Sequence, residues 1–503
     1  MSNHLFDAIR ENVKPGAPFI ETADGAIWRY SDMIEQSGRL AATLVAMGVK
    51  PDDRVAAQVD KSPEALILYL ACIRAGAVYL PLNTAYTLAE LDYFIGDAEP
   101  RLVVVSPRTR QGLEAVAARY GARLETLDEA GGGSLMTGLT EIPAEFTDVA
   151  RGPDDLAAIL YTSGTTGRSK GAMLTHDNLL SNAVALRGHW RFESGDRLIH
   201  ALPIFHTHGL FVASNVTLLS GASMYLLPKF DADEVLRLMP RATVLMGVPT
   251  FYVRLVQHPG LNADVTSSMR LFISGSAPLL AQTHRQFCER TGHAILERYG
   301  MTETNMNTSN PYDGERVAGT VGFPLPGVSL RITQPETGTP LADGETGMIE
   351  VKGPNVFKGY WRMPEKTKVE FRDDGFFITG DLGKIDERGY VHIVGRSKDV
   401  VISGGYNIYP KEIESEIDQL PGIVESAVIG VPHPDLGEGL AAVVVREPGA
   451  VVDETTVLTG LRDRLARYKQ PKRVIIVDEL PRNTMGKVQK NVLRDVFSVL
   501  FQP

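Results

Sequence analysis

An α/β fold built in more than one domain is predicted by three observations. The first third of the chain alternates short apolar runs with capped helical segments, the βαβ rhythm of a mostly parallel, helix-covered sheet. After Gly327 the apolar runs become short and alternating, as in a smaller antiparallel β unit. From Asp399 the pattern changes again, to that of a small α+β unit, and 503 residues exceed what one hydrophobic core holds.

Taken in order, Val55 to Val59 is a short apolar strand, followed by Ser62 as N-cap, Pro63 at the first helical position and a glycine stop at Gly76. Val78 to Leu82 is the next strand, Thr87 and Glu90 form a capping box, and Arg101 to Ser106 returns as strand. The stretch from Gly131 to about Asp154 is weakly patterned and reads as a surface connection. Leu156 to Tyr161 is a further strand. IHALPIFHTHGLF, ending at Phe211, is a strand running into His206, Thr207 and His208. Ala242 to Leu255 reads as a buried strand, a Gly-Val-Pro turn and a helix start, and Arg270 to Leu279 as a strand entering a glycine turn. Met348 to Lys352 and Tyr390 to Val394 belong to the antiparallel unit. The last unit has a glycine turn at Gly404 and Gly405, a helix from Lys411, strands at Ala427 to Val431 and Ala441 to Val445, and a helix from about Glu454 to Arg467.

Composition narrows the function classes. A hydrophobic fraction of 44% and a charged fraction of 22% are those of an ordinary globular protein. The net charge of −10 argues against general nucleic-acid or anionic-membrane binding and leaves room for a local basic pocket. Cys72 and Cys288 are the only cysteines, so neither a disulfide framework nor a zinc site is expected, and a reducing compartment fits. The N-terminal stretch has neither a secretory apolar core nor a transit-peptide composition, and no apolar run approaches a membrane span. A cytoplasmic protein with small-molecule partners and no stable membrane association is expected.

The stretch YTSGTTGRSKG, Tyr161 to Gly171, reads as a phosphate loop. Gly164, Gly167 and Gly171 let backbone N–H groups approach an anion, Thr162, Ser163, Thr165, Thr166 and Ser169 offer donors, and Lys170 adds a point charge. The spacing is not the Walker pattern, and a Gly/Ser/Thr-rich stretch by itself also fits a surface loop.

Further motifs follow in fixed order: YGMTET (Tyr299 to Thr304), TGD (Thr379 to Asp381), GRSKDVVISGGYNIYPKEIE (Gly395 to Glu414) and PRNTMGK (Pro481 to Lys487). Together with the phosphate loop they resemble the acyl-adenylate-forming superfamily of acyl-CoA synthetases, luciferases and peptide-synthetase adenylation domains, over nearly the whole chain. The resemblance implies a large N-terminal domain, residues 1–396, that binds ATP and the acid, and a small mobile C-terminal domain, residues 397–503, pivoting about Lys398. It implies ATP and coenzyme A as co-substrates and Mg²⁺ as the metal. Lys170 and the loop would hold phosphates and Glu303 the metal, since Mg²⁺ takes few carboxylates and shares phosphate oxygens. Ser276, Tyr299, Gly300 and Thr302 lie in the segments that surround the nucleotide. Asp381 and Arg396 match the ribose contacts, Lys487 the adenylation lysine, and Gly404, Gly405 and Tyr406 the pantetheine channel. A lysine acetyltransferase and deacetylase acting on Lys487 are candidate protein partners.

Arg298 bears on the substrate. Many relatives have glycine before the tyrosine of this motif, which opens an acyl pocket, whereas here the text is ERYGMTET. An arginine fills that volume and presents a fork of donors to a carboxylate. A short dicarboxylate answers both changes, which resembles the malonyl-CoA synthetases. His206 and Thr207 are then candidate acid contacts, Arg254 a second carboxylate contact and Met306 a steric limit at the α-carbon. A histidine at a strand end also fits a structural role, and Arg298 also fits an ion pair with Glu297 or another acid. A medium-chain or aryl ligase, an adenylation domain that loads a carrier protein, and a non-catalytic ATP-binding protein are the competing readings.

Overall fold

The computed structural model describes residues 2–162, 169–404, 406–483 and 486–502, with the backbone alone at Asn407. Two large sheets, a small antiparallel sheet and a C-terminal α+β unit make up the described chain. In the first large sheet the strands Arg123–Thr126, Leu102–Val105, Arg54–Gln58, Val78–Pro81 and Leu156–Thr162 lie side by side and parallel. Lys170–Thr175 then turns back antiparallel to Leu156–Thr162, so the phosphate loop joins the two strands of a hairpin next to a parallel sheet. The second large sheet is parallel through Met224, Leu198, Val244, Ile273 and their neighbours, with antiparallel strands at both margins.

The helices between these strands are those the local signals demand. Pro63–Ala75 starts with the Ser62 side chain accepting from the Ala65 N–H and stops at Gly76, whose φ of 72° is left-handed. Leu66 to Ala75 are buried on every face, because this helix lies between the two sheets rather than on a surface. Leu88–Ala98 carries the Thr87/Glu90 capping box. Residues 131–154 hold only two short 3₁₀ turns, yet Asp148 is buried there and pairs with Arg74 at 2.5 Å, tying this connection to the inter-sheet helix.

Strands Ser329–Thr333, Gly347–Lys352, Phe377–Ile385 and Val391–Arg396 form the small antiparallel sheet. Beyond it, Ile423–His433 and Gly437–Arg446 make a long hairpin flanked by Val401–Ser403 and Arg473–Val477. One expected element is shorter than the pattern suggested. The helix from Glu454 ends at Leu461 instead of Arg467, and the Gln470 side chain donates to the carbonyls of Arg462 and Leu465 that a continuing helix would have used. Among the described residues no helix is long and apolar enough to cross a membrane.

Candidate active site

The phosphate-loop residues Ser163, Gly164, Thr165, Thr166 and Gly167 lie outside the described residues, as does Gly405. The loop's flanks are described. Thr162 faces Lys170 across the hairpin, and the Lys170 Nζ sits 3.3 Å from Glu370 Oε1 and 4.1 Å from the centre of the Tyr360 ring. The Tyr360 hydroxyl lies 2.9 Å from Glu303 Oε1 and 2.7 Å from Glu370 Oε2, so one phenol bridges two carboxylates. Burial pushes the Glu303 carboxyl up against the opposing pull of Tyr360 and Lys170. Burial acts the same way on Glu370, but Lys366, Tyr360 and Lys170 outweigh it and hold that carboxyl down. A buried carboxylate beside a lysine at the foot of a phosphate loop suits a Mg²⁺ ion that takes one protein ligand and shares phosphate oxygens. The sequence reading missed Tyr360 and Glu370, because neither belongs to a motif with its own chemistry and only the fold brings them to Lys170.

Tyr299, Gly300 and Thr302 lie in the hairpin of Leu296–Met301 and Asn305–Ser309. Gly300 is required there, since a Cβ would stand 1.8 Å from the Asn305 carbonyl oxygen. The Tyr299 hydroxyl donates to Asp381 Oδ2 at 2.6 Å, and Arg396 Nε meets Asp381 Oδ1 at 3.1 Å. Asp381 and Arg396 are direct cross-strand partners in the small sheet, so the two expected ribose contacts are paired with each other here. Ser276 takes a left-handed φ of 74°, and its hydroxyl lies 3.2 Å from His208 Nδ1.

His206, Thr207 and Arg298 form a second cluster. Arg298 is 4% exposed, and neither its Nε nor its Nη2 has a hydrogen-bond partner among the described residues. A Cβ on Gly275 would lie 2.4 Å from the Arg298 Cζ, so the guanidinium packs against the backbone of that turn. Burial pushes Arg298 down to about 9. His206 Nδ1, Thr207 Oγ1 and His208 Nε2 are also buried and unpartnered among the described residues. Burial first, then the charges of Lys487 and Arg298, bring His206 down to about 3, so it is a neutral imidazole. Polar groups this deep normally have partners, so an unpartnered cluster of this kind is a candidate binding site. Met306 is buried, held through its backbone by the Asn182 side chain.

Lys487 comes from the C-terminal unit to the same region. Burial and then the Arg396 charge push its ammonium down to about 8, while Asp381 and Glu303 act in the opposite direction. Arg254 is exposed on the helix Pro249–Gln257, whose buried face is carried by Tyr252 and Leu255, and it is not part of the unpartnered cluster. Lys398 sits in a 3₁₀ turn, Ser397–Asp399, and Asp399 pairs with Arg494 at 3.0 Å. Gly404 has a left-handed φ of 57°, and Tyr406 is exposed and stacked on Tyr468 with ring centres 4.6 Å apart.

Comparison with known proteins shows the family of the chain. The model of the AMP-binding enzyme family matches residues 9–361, and that of the AMP-binding enzyme C-terminal domain matches residues 412–487. A feruloyl-CoA synthase from Amycolatopsis sp is 38% identical over 97% of both chains. A malonate–CoA ligase from Arabidopsis thaliana is also 38% identical, over 84% of this chain and 74% of that one. The crystal structure of ATP-bound MatB from Rhodopseudomonas palustris is 66% identical over the whole of both chains and superposes with a TM-score of 0.98. The apo form of that protein, at the same identity, gives 0.87. The arrangement of this chain is therefore nearer to the nucleotide-bound one.

Proposed function

Because the chain belongs to the AMP-binding enzyme family and is an AMP-forming acid–thiol ligase, we propose that its acid is malonate and its product malonyl-CoA. The observation that carries this reading is the buried Arg298 guanidinium with two unpartnered nitrogens. A charged fork in a closed pocket needs a carboxylate, and the carboxylate that reacts cannot serve, since it must reach the phosphate. A short dicarboxylate supplies the second one. The likeness to a feruloyl-CoA synthase would favour an aryl acid, but a ferulate ring at this place would leave Arg298 unpaired.

The chemistry has two steps. A malonate carboxylate oxygen attacks the α-phosphorus of ATP, the bond to the β,γ-phosphates breaks, and malonyl-AMP and pyrophosphate form. Lys170 and the amides of its loop would hold the phosphates, and Lys487 would stabilise the charge that gathers between the carboxylate and the α-phosphate. Glu303 would hold Mg²⁺, which supplies neutralising charge to the phosphate oxygens when bound. Asp381 and Arg396 would meet the ribose, and Tyr299 fixes the orientation of Asp381. In the second step the sulfur of coenzyme A attacks the acyl carbonyl, the bond to AMP breaks, and the thiol proton is released. Residues 397–503 would turn about Lys398 between the steps, withdrawing Lys487 and bringing the Gly404–Tyr406 segment to the thiol.

A panel of C2 to C6 mono- and dicarboxylic acids, scored by AMP release with ATP and coenzyme A, tests the reading. Malonate is expected to lead in kcat/KM. A monocarboxylate or an aryl acid in first place would overturn it, and discharge only to a carrier protein would replace coenzyme A as the acceptor.

A further inference from the structure

We infer that Lys61 is a positioning residue for the acid-binding segment, acting across the gap between the two large sheets. This rests on the reading above, in which His206 and Thr207 face the acid. Among the described residues His206 Nδ1 and Thr207 Oγ1 have no partners to locate them, so their placement depends on how the backbone of the segment is held.

Both ends of the segment are held through one residue. Lys61 stands just before the Ser62 cap of the inter-sheet helix, shortly after the strand Arg54–Gln58. Its Nζ reaches the other sheet and donates to the carbonyls of His200 at 2.7 Å and Leu202 at 2.8 Å, with His200 Nδ1 at 2.9 Å. On the other side of that imidazole, His200 Nε2 lies 2.9 Å from the Gly209 carbonyl, which also accepts from the Ser214 hydroxyl at 2.9 Å. The chain from Lys61 through His200 to Gly209 thus brackets residues 201–208. Gly209 also packs on the backbone inside the bracket, because a Cβ there would lie 2.0 Å from the Pro203 oxygen.

The chemistry of the donors fits a bracket and not a substrate contact. Burial lowers the Lys61 pKa well below the ordinary lysine value, and the three acceptors around its Nζ leave no position free for a ligand. His200 is fully buried, and burial together with Lys61 keeps it neutral, with Nδ1 accepting from lysine and Nε2–H donating to Gly209. The motif reading passed over Lys61, since a lysine before a helix cap reads as solvated.

The test is the split between the two substrates. Lys61→Met is expected to raise KM for the acid roughly 10- to 100-fold, as for a shift of about 1 Å in a binding group, with KM and Kd for ATP changing less than about threefold. His200→Gln keeps an adjacent acceptor and donor and is expected to stay near wild type, whereas His200→Leu should follow Lys61→Met. Should Lys61→Met fail to fold, Ser214→Ala removes one contact at the far end and is expected to raise KM for the acid alone, by a smaller factor. Equal changes for acid and ATP, or no change for the acid, would overturn the inference. Each variant is measured with malonate and with the acid that wild type turns over best. Loss of malonate preference in wild type would then count against malonate, while the split on the preferred acid still decides Lys61.

Discussion

Glu297 and Arg298 are neighbours in one strand and do not pair. Glu297 Oε1 lies 3.4 Å from His284 Nδ1 and accepts from the Gly319 N–H at 3.0 Å, on one side of the sheet. Arg298 points to the other side, against Gly275, with two nitrogens unpartnered. Alternation along a strand puts adjacent side chains on opposite faces, so the nearest acid in the sequence is the one that cannot neutralise Arg298.

Arg298 should therefore choose the substrate. A bidentate, charge-assisted contact contributes about 1.5 to 3 kcal/mol, and the desolvated carboxylate left behind costs more, so kcat/KM for malonate should fall roughly a hundredfold or more in Arg298→Gly. Activity toward butyrate should rise relative to malonate, because the same change empties the pocket, and Arg298→Lys should lie between. Steady-state kcat/KM for both acids in the three proteins checks this. Persistence of malonate preference in Arg298→Gly would place the distal carboxylate elsewhere, with His206 the next candidate.

Lys487 should matter for one half-reaction. Lys487→Ala is expected to lose malonyl-AMP formation by orders of magnitude and still convert supplied malonyl-AMP and coenzyme A to thioester. Equal losses in both assays would remove the division of labour.

The pH dependence follows from the same lysine. With its ammonium serving adenylation as proposed and sitting at about 8 in the free site, kcat/KM for ATP should fall as pH rises past about 8. The anionic substrates raise its pKa, so the falling limb of kcat should lie at higher pH. Stability runs the other way: a cation pushed down from 10.5 on burial disfavours the inserted arrangement below about 8, and this cost is relieved as pH rises from there toward 10.5. Pyrophosphate release and thermal melting, both followed from about pH 7 to 10, should move in opposite senses.

The proposed pivot at Lys398 predicts a selective defect. Lys398→Pro fixes φ within the turn Ser397–Asp399 and should hold one arrangement, so one half-reaction should fall much further than the other. Proportionate loss of both, in a folded protein, would put the pivot elsewhere.

The elements of the parallel sheet were legible in the sequence because their signals are local. Ser62, Pro63 and Gly76 bound a helix through their own hydrogen bonds and φ, and Thr87 and Glu90 cap each other three residues apart. The motif order likewise pointed to Lys170, Glu303, Asp381 and Lys487 as candidate site residues, although it could not say that Asp381 pairs with Arg396 or that Tyr360 joins Glu303 to Glu370. Those contacts join strands and loops far apart in the chain. The same holds for Arg254, which the sequence placed as a carboxylate contact and the helix turns to solvent, and for Lys61, whose acceptors lie about 140 residues away on another sheet. Sequence alone determined which chemical groups this protein has and where most elements start and stop. Only the tertiary structure decided which of those groups are buried without partners, because burial and pairing depend on neighbours that the order of residues does not specify.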